Sequence, residues 1–342
     1  MKTFPLIDIL KFVSALSIIS IHTQPMLGVQ DSVFYFPYLW LQCFAIPFFF
    51  VSSAFLFFSK TQGAAEGING GGYFSKWLKR TLILYGIYSL LNILADRGTF
   101  FSLPWQEMLG FFLFGKGNGY LWFFAALILS VAFIHCIDIL VRRHKVLRRS
   151  LHVAFFLLSL FLMVVLQFAY APISRTPLSW IAENYYQHFD NVRNFLSGTF
   201  FCYIGYFGVS LRTHYSKAWN RLALAVFAAL SLLGVCNSNT HSIWYEGYTT
   251  LGISILLFFV IMECANVSCK PNALLLYMRK SSNIIYFQHR YAIILLAVIS
   301  KVLCPIPPAA MFFLTAAIMC LLSYLFIKLE ATDLKKYTKY LY

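Results

Sequence analysis

Three ionisable side chains stand in the first apolar stretch of this sequence: Asp8, Lys11 and His22. A charge inside a membrane helix costs several kcal/mol, so each needs a partner or a wet cavity. Lys11 and His22 are 11 residues apart. At about 100° per residue this spacing comes within roughly 20° of whole turns, so the two share one helix face about 16 Å apart. Ala15 lies on the same stripe and leaves room beside it. Asp8 precedes Lys11 by three residues, a spacing that allows an ion pair. A neutral imidazole can accept a proton from a weak nucleophile, and an ammonium group can grip an anion. A plain structural reading competes with this one. In it Asp8 and Lys11 form an interfacial pair that snorkels to the cytoplasm, and His22 is a hydrogen-bonding helix packer.

The elements that must position these groups follow from composition. Of 342 residues, 60% are apolar and only 11% are charged, against about a quarter charged in a soluble domain. There are 36 Phe and 21 Tyr, and the mean hydropathy is +0.72. Too few charges remain to coat a globule, which excludes a soluble enzyme, a disordered chain and a disulfide-stapled secreted module. The expectation is an all-α, polytopic membrane helix bundle. A spanning helix needs about 20 mostly apolar residues. Ten candidates meet this: Leu6–Leu27, Val33–Phe58, Trp77–Ala95, Tyr120–Val141, Leu151–Tyr170, Phe195–Leu211, Leu222–Cys236, Tyr248–Ala265, Ile284–Leu303 and Ala309–Ile327. Trp105–Phe114 is apolar but too short to span, which suits a re-entrant or interfacial piece.

Charge distribution fixes the expected orientation. The net charge is +15. With Met1 inside and the spans alternating, 20 Lys and Arg fall in inner segments and 4 in outer ones. That bias places both termini in the cytoplasm and makes nucleic-acid binding unnecessary as its cause. The chain reads as one integral-membrane domain over 1–342, with a Gly-rich cytoplasmic linker near 60–75 (Gly63–Gly72 at its centre) and a basic tail over 328–342. The first stretch is expected to stay as the first helix rather than act as a signal peptide, because Asp8, Lys11 and His22 interrupt it and no small-x-small site follows. No internal repeat supports an inverted-repeat transporter. The eight Cys lie singly with no metal-ligand spacing, and read as buried thiols.

The stretch Asp8-Ile-Leu-Lys11 followed by His22 resembles the first-helix signature of the membrane acyltransferase-3 family: Arg or Lys, ten residues, then His. Other pieces follow in the family's order. They are Pro47-Phe-Phe-Phe-Val-Ser52-Ser53, Tyr73-Phe-Ser-Lys76-Trp-Leu-Lys79-Arg80, Tyr120-Leu-Trp122-Phe-Phe-Ala-Ala-Leu127, Phe200-Phe-Cys-Tyr-Ile-Gly205-Tyr and Ser282-Asn-Ile-Ile-Tyr286-Phe-Gln-His289. There are departures. Lys11 stands where Arg is commoner, which keeps the charge but loses the bidentate fork. Ser53 replaces a usual Gly, and Trp77 takes the first place of an Arg-x-x-Arg motif that ends at Arg80.

The resemblance implies a stand-alone O-acyltransferase that moves an acyl group, usually acetyl, from cytoplasmic acyl-CoA to a hydroxyl of a cell-envelope glycan. The setting it implies is a bacterial inner or plasma membrane. His22 is the implied catalytic base, and Lys11, Lys76, Lys79 and Arg80 are the candidates for donor binding. Asp8, Ser52, Trp122, Tyr286 and His289 are candidates for oxyanion or acceptor support. Acetyl-CoA is expected as donor substrate, with no tightly bound cofactor and no metal. The bilayer, acyl-CoA and the glycan are the expected partners, with a homodimer left open and no nucleic acid.

Plainer roles stand beside these. Trp122 suits an interfacial belt, and Ser52 suits helix packing. His289 and Arg290 are placed about one turn into the ninth span, on its inner side. Asp138 and Glu263 read as solvated at helix ends, and Lys301 as snorkelling. Outer aromatics such as Trp180, Tyr185, Tyr186, Trp244 and Tyr245 suit a membrane belt slightly better than sugar contact. The rival reading from another class is a glycolipid transporter or flippase that uses the same intramembrane charges. A glycan polymerase or ligase is a further rival, but its expected large outer loop is missing from the sequence.

Overall fold

The computed structural model describes residues 4–62, 70–95, 97–167, 176–188, 195–238, 244–267, 269–270 and 272–330. Residues 63–69 of the Gly-rich linker and 331–342 of the basic tail lie outside the described residues. The helices are α1 (Pro5–Thr23), α2 (Tyr35–Thr61), α3 (Gly70–Ala95), α4 (Arg97–Phe101), α5 (Trp105–Leu113), α6 (Trp122–Leu140), α7 (Lys145–Gln167), α8 (Ser179–His188), α9 (Phe195–Leu211), α10 (Lys217–Ser238), α11 (Trp244–Asn266), α12 (Ala273–Val302) and α13 (Pro308–Leu329). No strand occurs among the described residues. Among the described residues, eight helices are long and apolar enough to cross a membrane. Of the other two expected spans, α9 has 17 residues and α11 is apolar over Leu251–Asn266.

Local sequence explains the helix ends. Pro5 occupies the first turn of α1, where its missing N–H is harmless. Gln24, in the left-handed region at φ 47°, closes α1 with its N–H on the Ser20 carbonyl. The Asn272 side chain accepts the Leu275 N–H and starts α12. This start differs from expectation, since α12 begins at Ala273 rather than Ile284. The charged turn extends the helix because its cations are paired: Arg279 with Asp8, and Lys280 with Glu330. Trp105–Leu113 is a short helix as expected, with Phe111 packed on Phe100 and Ile93.

The interior is built on α2 and α9. Phe48, Phe50, Phe55, Phe57 and Phe58 of α2 are fully buried. Every residue of α9 from Ser197 to Tyr206 is buried as well. Gly205 lets the two backbones meet. A Cβ built there would overlap the Val51 carbonyl and stand 2.8 Å from the Phe55 nitrogen. The outer helices reverse the soluble pattern, and α10 exposes Leu222, Val226, Leu230 and Leu233 along one stripe. Such a stripe has its natural solvent in hydrocarbon. The four Cys at 43, 136, 269 and 304 are exposed, which corrects their reading as buried thiols.

Contacts between helix ends agree with the expected alternation. Asp8–Arg279, Tyr206–Asp138, Tyr215–Glu263 and Lys280–Glu330 each join ends that carry basic segments. This is called the basic end below.

Replacing Gly205 by Val forces α9 off α2. Overpacking of this kind costs about 1–3 kcal/mol. The thermal midpoint of the purified protein in detergent is expected to fall. Gly86→Ala, where nothing lies within 4 Å of the added methyl, leaves it unchanged or raises it.

Candidate active site

The site begins with the pairing of α1 and α12. The two helices run parallel and touch along their length. Near the basic end Asp8 is buried, and Arg279 grips it with a fork. Nε lies 3.0 and 3.1 Å from the two carboxylate oxygens, and Nη2 lies 2.7 Å from Oδ2. This corrects the expected Asp8–Lys11 pair. A guanidinium offers two parallel N–H donors to a carboxylate, which an ammonium cannot. It also removes Asp8 from oxyanion support, because a carboxylate held this way only accepts.

With Asp8 taken, Lys11 turns elsewhere. Its Nζ lies 5.6 Å from the centre of the Phe49 ring. Lys11 lines a cavity of about 170 Å³ together with Arg80, Trp77, Ser53, Asn283 and Tyr286. Two cations and no carboxylate line it. Of the other expected donor-binding residues, Lys76 and Lys79 are exposed at the basic end and do not line this cavity.

At the far end of α1, His22 is exposed and stacks on His289 of α12, with ring centroids 5.2 Å apart and planes inclined by 29°. His289 is fully buried near the middle of a 30-residue helix, not one turn into it. Its Nδ1 lies 2.8 Å from the Tyr286 carbonyl and 3.1 Å from that of Ile285. Carbonyls only accept, so the proton belongs on Nδ1 and Nε2 presents a lone pair. That Nε2 is buried with no hydrogen-bond partner. His289 therefore offers an acceptor, not an oxyanion donor.

Aromatic rings link the two charged regions. Phe49 lies 5.6 Å from Tyr286, and Tyr286 lies 6.3 Å from His289. The Tyr286 hydroxyl donates to the Tyr120 carbonyl at 2.6 Å, and the Tyr120 hydroxyl donates to the Phe287 carbonyl at 2.8 Å. The single Tyr286 proton is thus committed to backbone. The Tyr120 ring also packs edge-on to His289 at 5.0 Å. His22 is not among the residues lining the Lys11 cavity, whereas Tyr286, Phe287 and Phe124 are. The other two candidates lie outside it too. Ser52 is fully buried and donates to the Phe49 carbonyl at 3.3 Å. Trp122 is half-buried at the start of α6, 6.0 Å from Phe50.

Sequence reasoning missed Arg279 and Tyr120. The charge tally put Arg279 in an inner loop, and the short spacing to Lys11 offered Asp8 a nearer partner. It also misjudged two acids. Asp138 is gathered by Tyr206 at 3.1 Å, buried His152 at 3.4 Å and Arg148 at 3.8 Å. Glu263 accepts from Tyr215 and, at 3.1 Å, from Asn220. Neither is simply solvated. Asp96, Arg175, Asp190 and Arg193, and the side chains of Tyr186, Trp244 and Tyr245, lie outside the described residues.

A family model described as an acyltransferase domain matches residues 4–328. The chain belongs to the membrane acyltransferase-3 family. The match takes in the α1–α12 pair, the Lys11 cavity and the His22–His289 stack. A curated amino-acid racemase from Enterococcus faecalis is 31% identical over 87 residues, which is 25% of this chain. The aligned part is 11% of the racemase, so the chain spans about a tenth of that relative's length. No solved structure matches. The family match and the apolar helices together make this acyltransferase-3 protein a multi-pass membrane protein.

The Asp8–Arg279 pair yields a stability test. Arg279→Ala strands a buried carboxylate. The guanidinium is 45% exposed and Asp8 only 8%. Solvent screening thus brings the loss down to roughly 1–3 kcal/mol. Adding Asp8→Asn to Arg279→Ala removes the stranded charge and is expected to recover much of the lost melting temperature. A double variant no more stable than Arg279→Ala would show that the carboxylate is not what the guanidinium offsets.

Proposed function

We propose that the protein is an O-acyltransferase that moves an acyl group, most simply acetyl, from acyl-CoA to a hydroxyl of a lipid-linked or surface glycan in a bacterial envelope. The observation that carries this reading is the His22–His289 stack, set on the same helix as a lysine that lines a cavity free of acids. An exposed imidazole on a buried neutral one is suited to proton transfer. The cationic cavity is suited to the phosphates of a CoA thioester.

In this reading the exposed Lys76 and Lys79 draw the anionic donor to the basic end. Lys11 and Arg80 hold its phosphates, and Trp77 and Phe49 flank the pantetheine arm. The arm reaches toward His22 when the Tyr286 phenol leaves the Tyr120 carbonyl. His22 accepts the proton of the glycan hydroxyl as the oxygen attacks the thioester carbonyl. The C–S bond then breaks, the thiolate takes that proton back from His22, and the products are the ester and free CoA. His289 positions the His22 ring by stacking, with its own orientation pinned by two backbone carbonyls.

The test is labelled acetyl-CoA given to membranes that carry wild type or His22→Ala, followed by mass spectrometry of the envelope glycans. Transfer by His22→Ala is expected to fall about 10²–10⁴-fold, with CoA binding and detergent melting unchanged. Wild-type transfer by the variant would sink the assignment. Movement of an unmodified glycolipid across the bilayer, with no acyl transfer by wild type, would favour the transporter reading instead.

A further inference from the structure

Arg290 follows His289 in the middle of α12, where a cation needs an anion or water. It is half-buried. No carboxylate among the described residues lies within 4.0 Å of its guanidinium. The other arginine of this helix, Arg279, does have a carboxylate partner.

One side of the guanidinium meets a well-bonded glycine segment. The segment Gly115–Gly119 carries positive φ at Gly115, Gly117 and Gly119 (71°, 72° and 57°). A Cβ on Gly119 would sit 2.6 Å from Arg290 Nη1, so the missing side chain leaves the space that the guanidinium occupies. Asn118 anchors the segment to α3. It donates to Ser89 at 2.8 Å and accepts from Asn92 at 2.9 Å, and Tyr291 ties α12 to the same Asn92 at 3.2 Å. Tyr120, the next residue of the segment, packs on His289. The guanidinium therefore meets the backbone of a well-bonded segment whose next residue, Tyr120, packs on His289.

We propose that Arg290 binds an anionic oxygen group, a phosphate or a carboxylate, on the acceptor substrate. Consecutive helix positions diverge by about 100°. Arg290 thus leaves α12 in a different direction from His289, on the side where Gly119 lies. It anchors a group set beside the reacting hydroxyl, and it is a specificity-determining residue, not an oxyanion donor. A planar guanidinium with five N–H donors matches both oxyanions. The anion could belong to a lipid phosphate, a free phosphate or an acidic sugar. The inference rests on the proposed role of His22 only in assigning the anion to the acceptor.

The experiment measures binding and needs no turnover. Purified full-length protein in neutral-lipid nanodiscs is titrated with dodecyl phosphate, inorganic phosphate and glucuronate, with dodecanol as the uncharged reference. Wild type is expected to bind at least one of the three anions. The responding arm identifies the source: dodecyl phosphate alone a lipid phosphate, inorganic phosphate a free one, glucuronate an acidic sugar. Losing a charge-assisted pair weakens binding by roughly tenfold or more, so Arg290→Gln should show that loss for the responding anion. Arg290→Lys keeps the charge and should fall between the two. His22→Ala should bind as wild type does, so a failed transfer assay would leave this result standing. Equal binding by wild type and Arg290→Gln, with Arg290→Lys also unchanged, would overturn the proposal. So would the absence of anion binding by folded wild type.

Discussion

The register between α1 and α12 is set by one ion pair on a buried carboxylate. Asp8 cannot remain charged and unpartnered at its depth, and Arg279 meets both its oxygens. A bidentate contact fixes height and rotation together, because two parallel hydrogen bonds tolerate little sliding. From that point 14 residues lead along α1 to His22 and 10 along α12 to His289. These are about 21 and 15 Å of rise. The difference of about 6 Å is covered by the length of the arginine side chain reaching back to the carboxylate. The imidazole stack then forms at the only height where the two helices present those rings together.

The rest of the bundle keeps this pair in place. α2 fills the centre with phenylalanine, and α9 slots against it through Gly205. Small residues at a helix crossing give close backbone packing, the main attractive force between helices that lipid surrounds. The end of α1 is tied to α2 by the Tyr38 hydroxyl on the Ser20 carbonyl at 3.3 Å. α12 is tied to α3 through Gln288 and Tyr88 at 3.1 Å. Polar side chains inside this bundle mostly meet other polar groups. The unpartnered Nε2 of His289 is one of several exceptions, with Ser14, His135 and Thr315 among the others, and it lies where chemistry is proposed.

A division of labour along the membrane normal follows. Cations gather at the basic end, where Lys11 and Arg80 share a cavity without acids. His22, His289 and Arg290 lie farther along α1 and α12. Aromatic rings lie between, with the Tyr286 hydroxyl bonded to backbone. An acyl donor held at one end and an acceptor at the other would meet across those rings. On the proposed function, this arrangement would transfer a small group through the barrier without moving either large substrate across it.

Much of this was readable from residue order alone. Ten apolar stretches and a lopsided distribution of Lys and Arg determine an all-helical bundle and its alternation, because hydrocarbon admits no unpaired backbone and spacing along a helix is fixed. The shared face of Lys11 and His22 follows from the same periodicity, and both do pack toward α12. Partner choice did not follow. Asp8 is three residues from Lys11 but pairs with an arginine 271 residues away, since local spacing permits a contact while the competition among all nearby cations decides it. The early start of α12, the burial of His289 and the enclosure of Arg290 by a glycine segment were decided in the same way. Each depends on which side chains from distant parts of the chain arrive at one place, and helical periodicity carries no information about that.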